Sequence, residues 1–165
     1  MKVYQYFILL TLIIACKNRG DKSIKNQEII SVNYEELEPF LNKVSDTTYV
    51  VNFWATWCKP CVEELPFFEE LNKKYASDKV KVLLVSLDMP KQLETRLKPF
   101  VKENKLKSQV ILLNDPNQNN WIPKIDSHWD GAIPATLIYN KNRRMFYAKS
   151  FTYSELEKIT KQFIP

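Results

Sequence analysis

The sequence predicts an α/β domain, a mixed sheet with helices on both faces. Three observations predict it. Short runs rich in Val, Ile and Leu alternate with longer stretches whose apolar residues recur every three or four positions, as buried strands alternate with amphipathic helices. The last two runs, 135–139 and 144–150, are joined only by the polar turn 140–143, so that pair is an antiparallel hairpin closing a helix-linked sheet. At 165 residues, 45% of them hydrophobic, the chain suits one domain whose core needs no disulfide or metal to hold it.

The elements follow in order. Lys2 precedes a nine-residue apolar run, 7–15, too short to span a bilayer but suited to the core of a signal peptide. Ile13-Ile14-Ala15-Cys16 resembles a bacterial lipobox, which would make Cys16 a lipid-bearing first residue. A plain secreted form and an uncleaved anchor are the alternatives. Residues 16–28 are polar and read as a flexible tether, which leaves 29–165 for the folded domain.

Residues 29–32 form a short strand. Asn33 caps a helix to about Val44, with Leu37, Phe40, Leu41 and Val44 facing inward. The run 48–54 is the central strand. The helix after it, 60–75, turns Val62, Leu65, Phe68, Leu71 and Tyr75 to one side, and Pro66 should bend it. A second buried strand covers 80–87. The amphipathic stretch 90–104 points Leu93, Leu97, Phe100 and Val101 inward, 110–113 is a third strand, and the Asn-rich 115–127 holds a short helix. After the hairpin, Thr152 and Glu155 form a capping box for a last helix to Phe163.

Twenty-four basic against nineteen acidic residues give a net charge of +5, spread along the chain with no nucleic-acid motif, so no nucleic-acid partner is expected. A zinc site would want a second Cys or His pair, but the one histidine is His128. Haem attachment needs His directly after Cys61, where Val62 stands. Neither metal nor cofactor is expected.

The chemistry lies in Trp57-Cys58-Lys59-Pro60-Cys61. Two cysteines two residues apart can close and reopen a disulfide, and Pro60 suits the first turn of a helix. Helical N–H groups and the positive end of the dipole then favour a thiolate, with Lys59 adding to that field. Cys58, partly exposed before the helix, reads as the attacking thiol and Cys61 as the resolving one. A static disulfide is the plainer reading, but structural bridges gain most by closing long loops. With Cys16 carrying lipid, the odd count of three cysteines is explained.

Glu64, three residues after Cys61, shares its side of the helix. If buried, it could take the proton of Cys61. A solvated carboxylate is the alternative, and Glu63 reads that way. Trp54 and Trp57 flank the pair, Trp57 as client-contact surface and Trp54 largely as core. Trp121, His128 and Trp129 fall near the loop before Pro134, His128 as a surface or packing residue. Asp88, Met89 and Met145 carry no signal.

The run 51–61, followed by Glu64 and Pro66, resembles the thioredoxin superfamily, and within it the membrane-tethered TlpA/ResA branch with its Trp-Cys-x-Pro-Cys-x-x-Glu-x-Pro signature. The likeness continues at Gly131-Ala132-Ile133-Pro134-Ala135-Thr136-Leu137, where that family carries a cis-proline. The resemblance implies a thioredoxin fold of four to five strands, with 88–127 as a helix-containing insertion. It implies that the Ile133 backbone, ahead of Pro134, pairs with an extended client. An ordinary trans proline at a strand start is the alternative. Where thioredoxin has a buried aspartate, this chain has Asn52, which cannot shuttle a proton. Nothing in the sequence calls for more than a monomer, and the function implied is a lipid-anchored reductase in the cell envelope. It would face the periplasm, take electrons from a membrane thiol donor and act on disulfides of exported proteins, apocytochromes among them. The rivals are a thiol peroxidase, which wants one peroxidatic cysteine, and a non-catalytic binding lipoprotein.

Overall fold

Alternation along the strands explains the architecture. In the computed structural model, which describes residues 28–164, six strands form one sheet in the order β1-β4-β3-β2-β5-β6. These are β1 (Ile30–Val32), β2 (Thr48–Trp54), β3 (Val80–Ser86), β4 (Gln109–Leu113), β5 (Ala135–Tyr139) and β6 (Arg144–Tyr147). The pairs β1–β4, β4–β3 and β3–β2 are parallel, and β2–β5 and β5–β6 are antiparallel. The sheet is thus the mixed one expected, with six strands rather than four or five. Three-residue β1 and exposed β6 complete it as short edges, which limit edge-to-edge association.

Side chains of period two then build two cores. Val50, Trp54, Val82, Leu84, Val110, Leu112 and Ile138 face α2 (Lys59–Lys74), α3 (Lys98–Glu103) and α5 (Tyr153–Thr160). Val51, Phe53, Leu83, Val85, Ile111, Leu113 and Leu137 face α1 (Tyr34–Leu41) and α4 (Gln118–Ile125). The same parity turns Asn52 and Thr136, register partners on β2 and β5, toward α2.

Helix starts match the sequence better than helix ends. Asn33 and Thr152 each close a capping box, with Glu36 and Glu155. The first helix, however, stops at Leu41, and Val44, expected inside, is 87% exposed. Asn42 ends it by leaving helical φ/ψ. The expected helix over 90–104 is wound in three ways: a 3₁₀ turn at Pro90–Gln92, a π turn at Leu93–Leu97, then α3. Pro99 has no N–H to offer the Thr95 carbonyl, and the winding ahead of it loosens so that the Lys98 N–H reaches the Leu93 carbonyl. The stretch 88–127, which follows β3 in sequence, contributes β4 to the sheet as well as helices, and β4 lies between β1 and β3.

Helix α2 is tied to α5 at its far end. The Lys74 ammonium and the Tyr75 hydroxyl both donate to Glu157 Oε1, at 2.6 and 2.7 Å. These bonds, that of Lys74 first, hold the Glu157 carboxyl down at about 2. Among the described residues no helix is long and apolar enough to cross a membrane, and no three His, Cys, Asp or Glu side chains gather as metal ligands would. Cys16, the signal segment 1–15 and the tether up to residue 27 lie outside the described residues.

Candidate active site

Cys58 is the N-cap of α2, and Lys59 and Pro60 open the helix. The strand β2 ends at Trp54, and a turn closed by the Cys58 N–H on the Ala55 carbonyl (3.1 Å) redirects the chain into the helix. Cys58 and Cys61 are joined as a disulfide. The Cys61 N–H points at Cys58 Sγ at 3.3 Å, so an orphan amide of the first helical turn is aimed at that sulfur. Cys58 is 6% exposed and Cys61 fully buried. Cys58 is therefore more enclosed than its place before a helix suggests, because the loop ahead of β5 covers it.

That loop brings Ile133 to the pair. The Ile133 carbonyl oxygen lies 3.8 Å from Cys58 Sγ, and the Ile133–Pro134 peptide is cis. The loop turns at Gly131, whose φ of +90° is a conformation L side chains rarely adopt, and a Cβ there would lie 2.9 Å from Ile122 Cδ1. The Ile122 tip can swing aside, so the backbone carries the cost. Gly131→Ala is expected to lower stability by about 1–3 kcal/mol, measured by urea unfolding.

Behind the cysteines, Glu64 is buried at 2% exposure. Its Oε1 accepts from Asn52 Nδ2 at 2.9 Å and its Oε2 from the Phe151 N–H at 2.8 Å. Asn52 Nδ2 also donates to Thr136 Oγ1 at 3.2 Å, while Asn52 Oδ1 is buried without a partner among the described residues. Burial pushes the Glu64 carboxyl up to about 7, against the smaller opposing pull of the Phe151 and Asn52 donors. Burial, the condition set for Glu64 in the sequence, is met, and Asn52, which cannot carry a proton, is its direct partner.

The remaining residues separate by exposure. Trp57 is 56% exposed beside the disulfide, whereas Trp54 is fully buried and packs on Phe100. Lys59 and Pro60 are exposed. Lys59 lies 3.8 Å from the exposed Glu63, a pair contributing little. Trp121 and Trp129 are core residues under the loop before Pro134, with the Trp129 indole donating to the Ala132 carbonyl at 2.8 Å. His128 is exposed beside Ser127 and Asp126.

One residue read in the sequence as carrying no signal is buried at the site. Asp88, 2% exposed, accepts hydrogen bonds from Thr56 in the turn before Cys58. A polar residue just beyond a buried parallel strand is a usable signal, because ligand sites collect at that edge.

This arrangement has relatives. The thiol-disulfide oxidoreductase ResA of Bacillus cereus is 30% identical over 95 residues, 58% of this chain and 50% of that protein. The chain spans about half the length of the curated relatives it matches. Among solved structures, StoA from Bacillus subtilis superposes with a TM-score of 0.53 at 25% identity, covering 70% of this chain and 84% of that one. A thioredoxin-family thiol:disulfide interchange protein from Chlorobium tepidum TLS gives a TM-score of 0.61, covering 73% and 81%, and at 22% identity it shares the fold. A family model matches residues 23–148, most of the length, and the chain belongs to the AhpC/TSA family, whose thioredoxin-like fold it has.

Proposed function

We propose that this protein is a thiol–disulfide oxidoreductase working through Cys58 and Cys61. One observation carries the reading: the two cysteines form a disulfide at the start of α2, with a helix amide on one side of Cys58 Sγ and the Ile133 carbonyl on the other. The direction is reduction of a client. The Cys58 thiolate attacks a client disulfide, forming the Cys58–client bond while the second client sulfur leaves and takes a proton. Cys61 then gives its proton to Glu64 and attacks Cys58 Sγ, releasing the first client sulfur as thiolate. Two electrons pass to the client, and the described disulfide is the end state. A donor dithiol must reverse the cycle.

Trp57, Lys59, Pro60, Ile133 and Pro134 border the disulfide and form the contact surface for the client. The clients proposed are disulfide-containing exported proteins, apocytochromes included. The domain 29–165 would be tethered to a bacterial membrane by lipid on Cys16 after removal of residues 1–15, facing the periplasm as a monomer, and fed by a membrane thiol donor. Pro60, as in reducing members of the resembled branch, favours reduction. Equilibration of the reduced chain with glutathione tests this. A potential in the range of about −200 to −270 mV is expected, and one near −120 mV, that of strong oxidants, overturns the reductase assignment.

A further inference from the structure

We propose that Asp88 is a positioning residue for Cys58. Its carboxylate holds the turn that sets the sulfur against the N-terminus of α2. The inference rests on Cys58 being the attacking thiol.

Strands β2 and β3 run parallel and end together, Trp54 beside Ser86, and the Leu87 N–H on the Trp54 carbonyl (2.7 Å) carries the pairing one step further. There the chains part. Asp88 bridges the gap they leave. The Thr56 N–H donates to both its oxygens, at 3.0 and 3.2 Å, and the Thr56 hydroxyl to Oδ1 at 2.5 Å. The Ser86 hydroxyl donates to Oδ2 at 2.8 Å and accepts from the Asp88 N–H at 3.1 Å.

Every donor is neutral. No lysine or arginine among the described residues forms an ion pair with Asp88. A buried carboxylate without a cation is a costly tie, and this one holds Thr56, two residues before Cys58. Without it, Thr56 loses its amide and hydroxyl partners together, and the turn that aims Cys58 Sγ at the Cys61 amide is held only by its own Cys58–Ala55 bond.

Two consequences of losing Asp88 oppose each other. A loosened turn moves the sulfur off the helix amides and disfavours the thiolate. Removing a nearby negative charge favours it. Positioning dominates in this proposal, and asparagine separates the two effects. Its Oδ1 still accepts from the Thr56 amide, and its Nδ2 can donate to the hydroxyls, but the charge is gone.

The test is the rate of alkylation of Cys58 by iodoacetamide against pH, in the reduced full chain, with the modified cysteine identified by mass spectrometry. Lys59, Glu63 and Glu64 on α2, and His128 and Asp130 before Pro134, are the same in every variant. The inflection in Asp88→Ala is expected about one pH unit above wild type, a tenfold smaller thiolate fraction below both values. Thr56→Val shifts the same way by less, and Asp88→Asn stays within about half a unit of wild type. An Asp88→Ala profile that superimposes on wild type overturns the proposal, and so does a downward shift in both Asp88 variants. Should Asp88→Ala not fold, an unshifted Thr56→Val overturns it. The wild-type inflection itself tests whether Cys58 is an activated thiol, so the two failures are distinguishable.

Discussion

Serine at position 58 is expected to abolish disulfide exchange, by roughly a thousandfold or more. A hydroxyl is not ionised at neutral pH and cannot displace a sulfur, and neither the amide at 3.3 Å nor the Ile133 carbonyl can supply a nucleophile in its place. Serine at position 61 has a different outcome. Attack by Cys58 is intact, but the sulfur that would displace the client is missing, so the mixed disulfide accumulates as a covalent adduct of Cys58. It should appear on a non-reducing gel, vanish on reduction, and be absent from the double variant Cys58→Ser/Cys61→Ser. Because Cys61 is fully buried while Cys58 retains a little exposure, only one order of events is open to a folded client. Insulin reduction unchanged in Cys58→Ser would reduce the fold to a binding scaffold. Peroxide turnover retained in Cys61→Ser would move the chemistry to a one-cysteine peroxidase.

The parts legible in the sequence are those written in neighbouring residues. The cysteine pair, the proline opening α2, the capping box at Thr152 and the central strand over 48–54 are all local patterns, and each stands where it was expected. Two local signals misled. The apolar stripe of the first helix runs on through Val44, yet Asn42 ends the helix before it. The amphipathic stretch 90–104 gives no periodic sign of the shift of register ahead of Pro99. What the sequence hid depends on register between distant strands. Asn52 meets Glu64 because parity along β2 turns it toward α2, and Glu64 meets the Phe151 amide, 87 positions on, because α5 packs against the same helix. Asp88 reaches Thr56 only because β2 and β3 end side by side. An aspartate after a strand reads as a loop residue until its neighbour strand is known.

Glu64→Gln should separate the catalytic and the structural consequences of burying a carboxylate. In the native protein that carboxyl titrates at about 7 rather than at its ordinary value of 4.5, chiefly because burial disfavours the charged form. Between those values the folded state holds a proton on Glu64 that the unfolded chain has released, so the Glu64 contribution to stability falls as pH rises from about 4.5 to about 7 and is constant outside that window. The loss is on the order of 3 kcal/mol. Glutamine does not titrate, so its urea midpoint should be flat across the same interval, and above pH 8 the variant should be the more stable protein. The site can accommodate the amide. Glutamine Oε1 accepts from the Phe151 N–H, and its Nε2 needs an acceptor where Asn52 Nδ2 now donates. Rotating the Asn52 amide supplies one in Oδ1, at the cost of the Nδ2 bond to Thr136 Oγ1, about 1 kcal/mol and less than the roughly 3 kcal/mol that the titration removes. The chemical consequence runs the other way. Resolution requires Cys61 to shed its proton, and a carboxyl near 7 accepts it at neutral pH, whereas an amide cannot. Release of client from the mixed disulfide should slow by roughly a hundredfold in Glu64→Gln and lose its rise with pH through about 7, while the initial attack by Cys58 changes little. A variant that gains stability at high pH and keeps the wild-type release profile would leave Glu64 a buried structural acid and pass the proton of Cys61 to water.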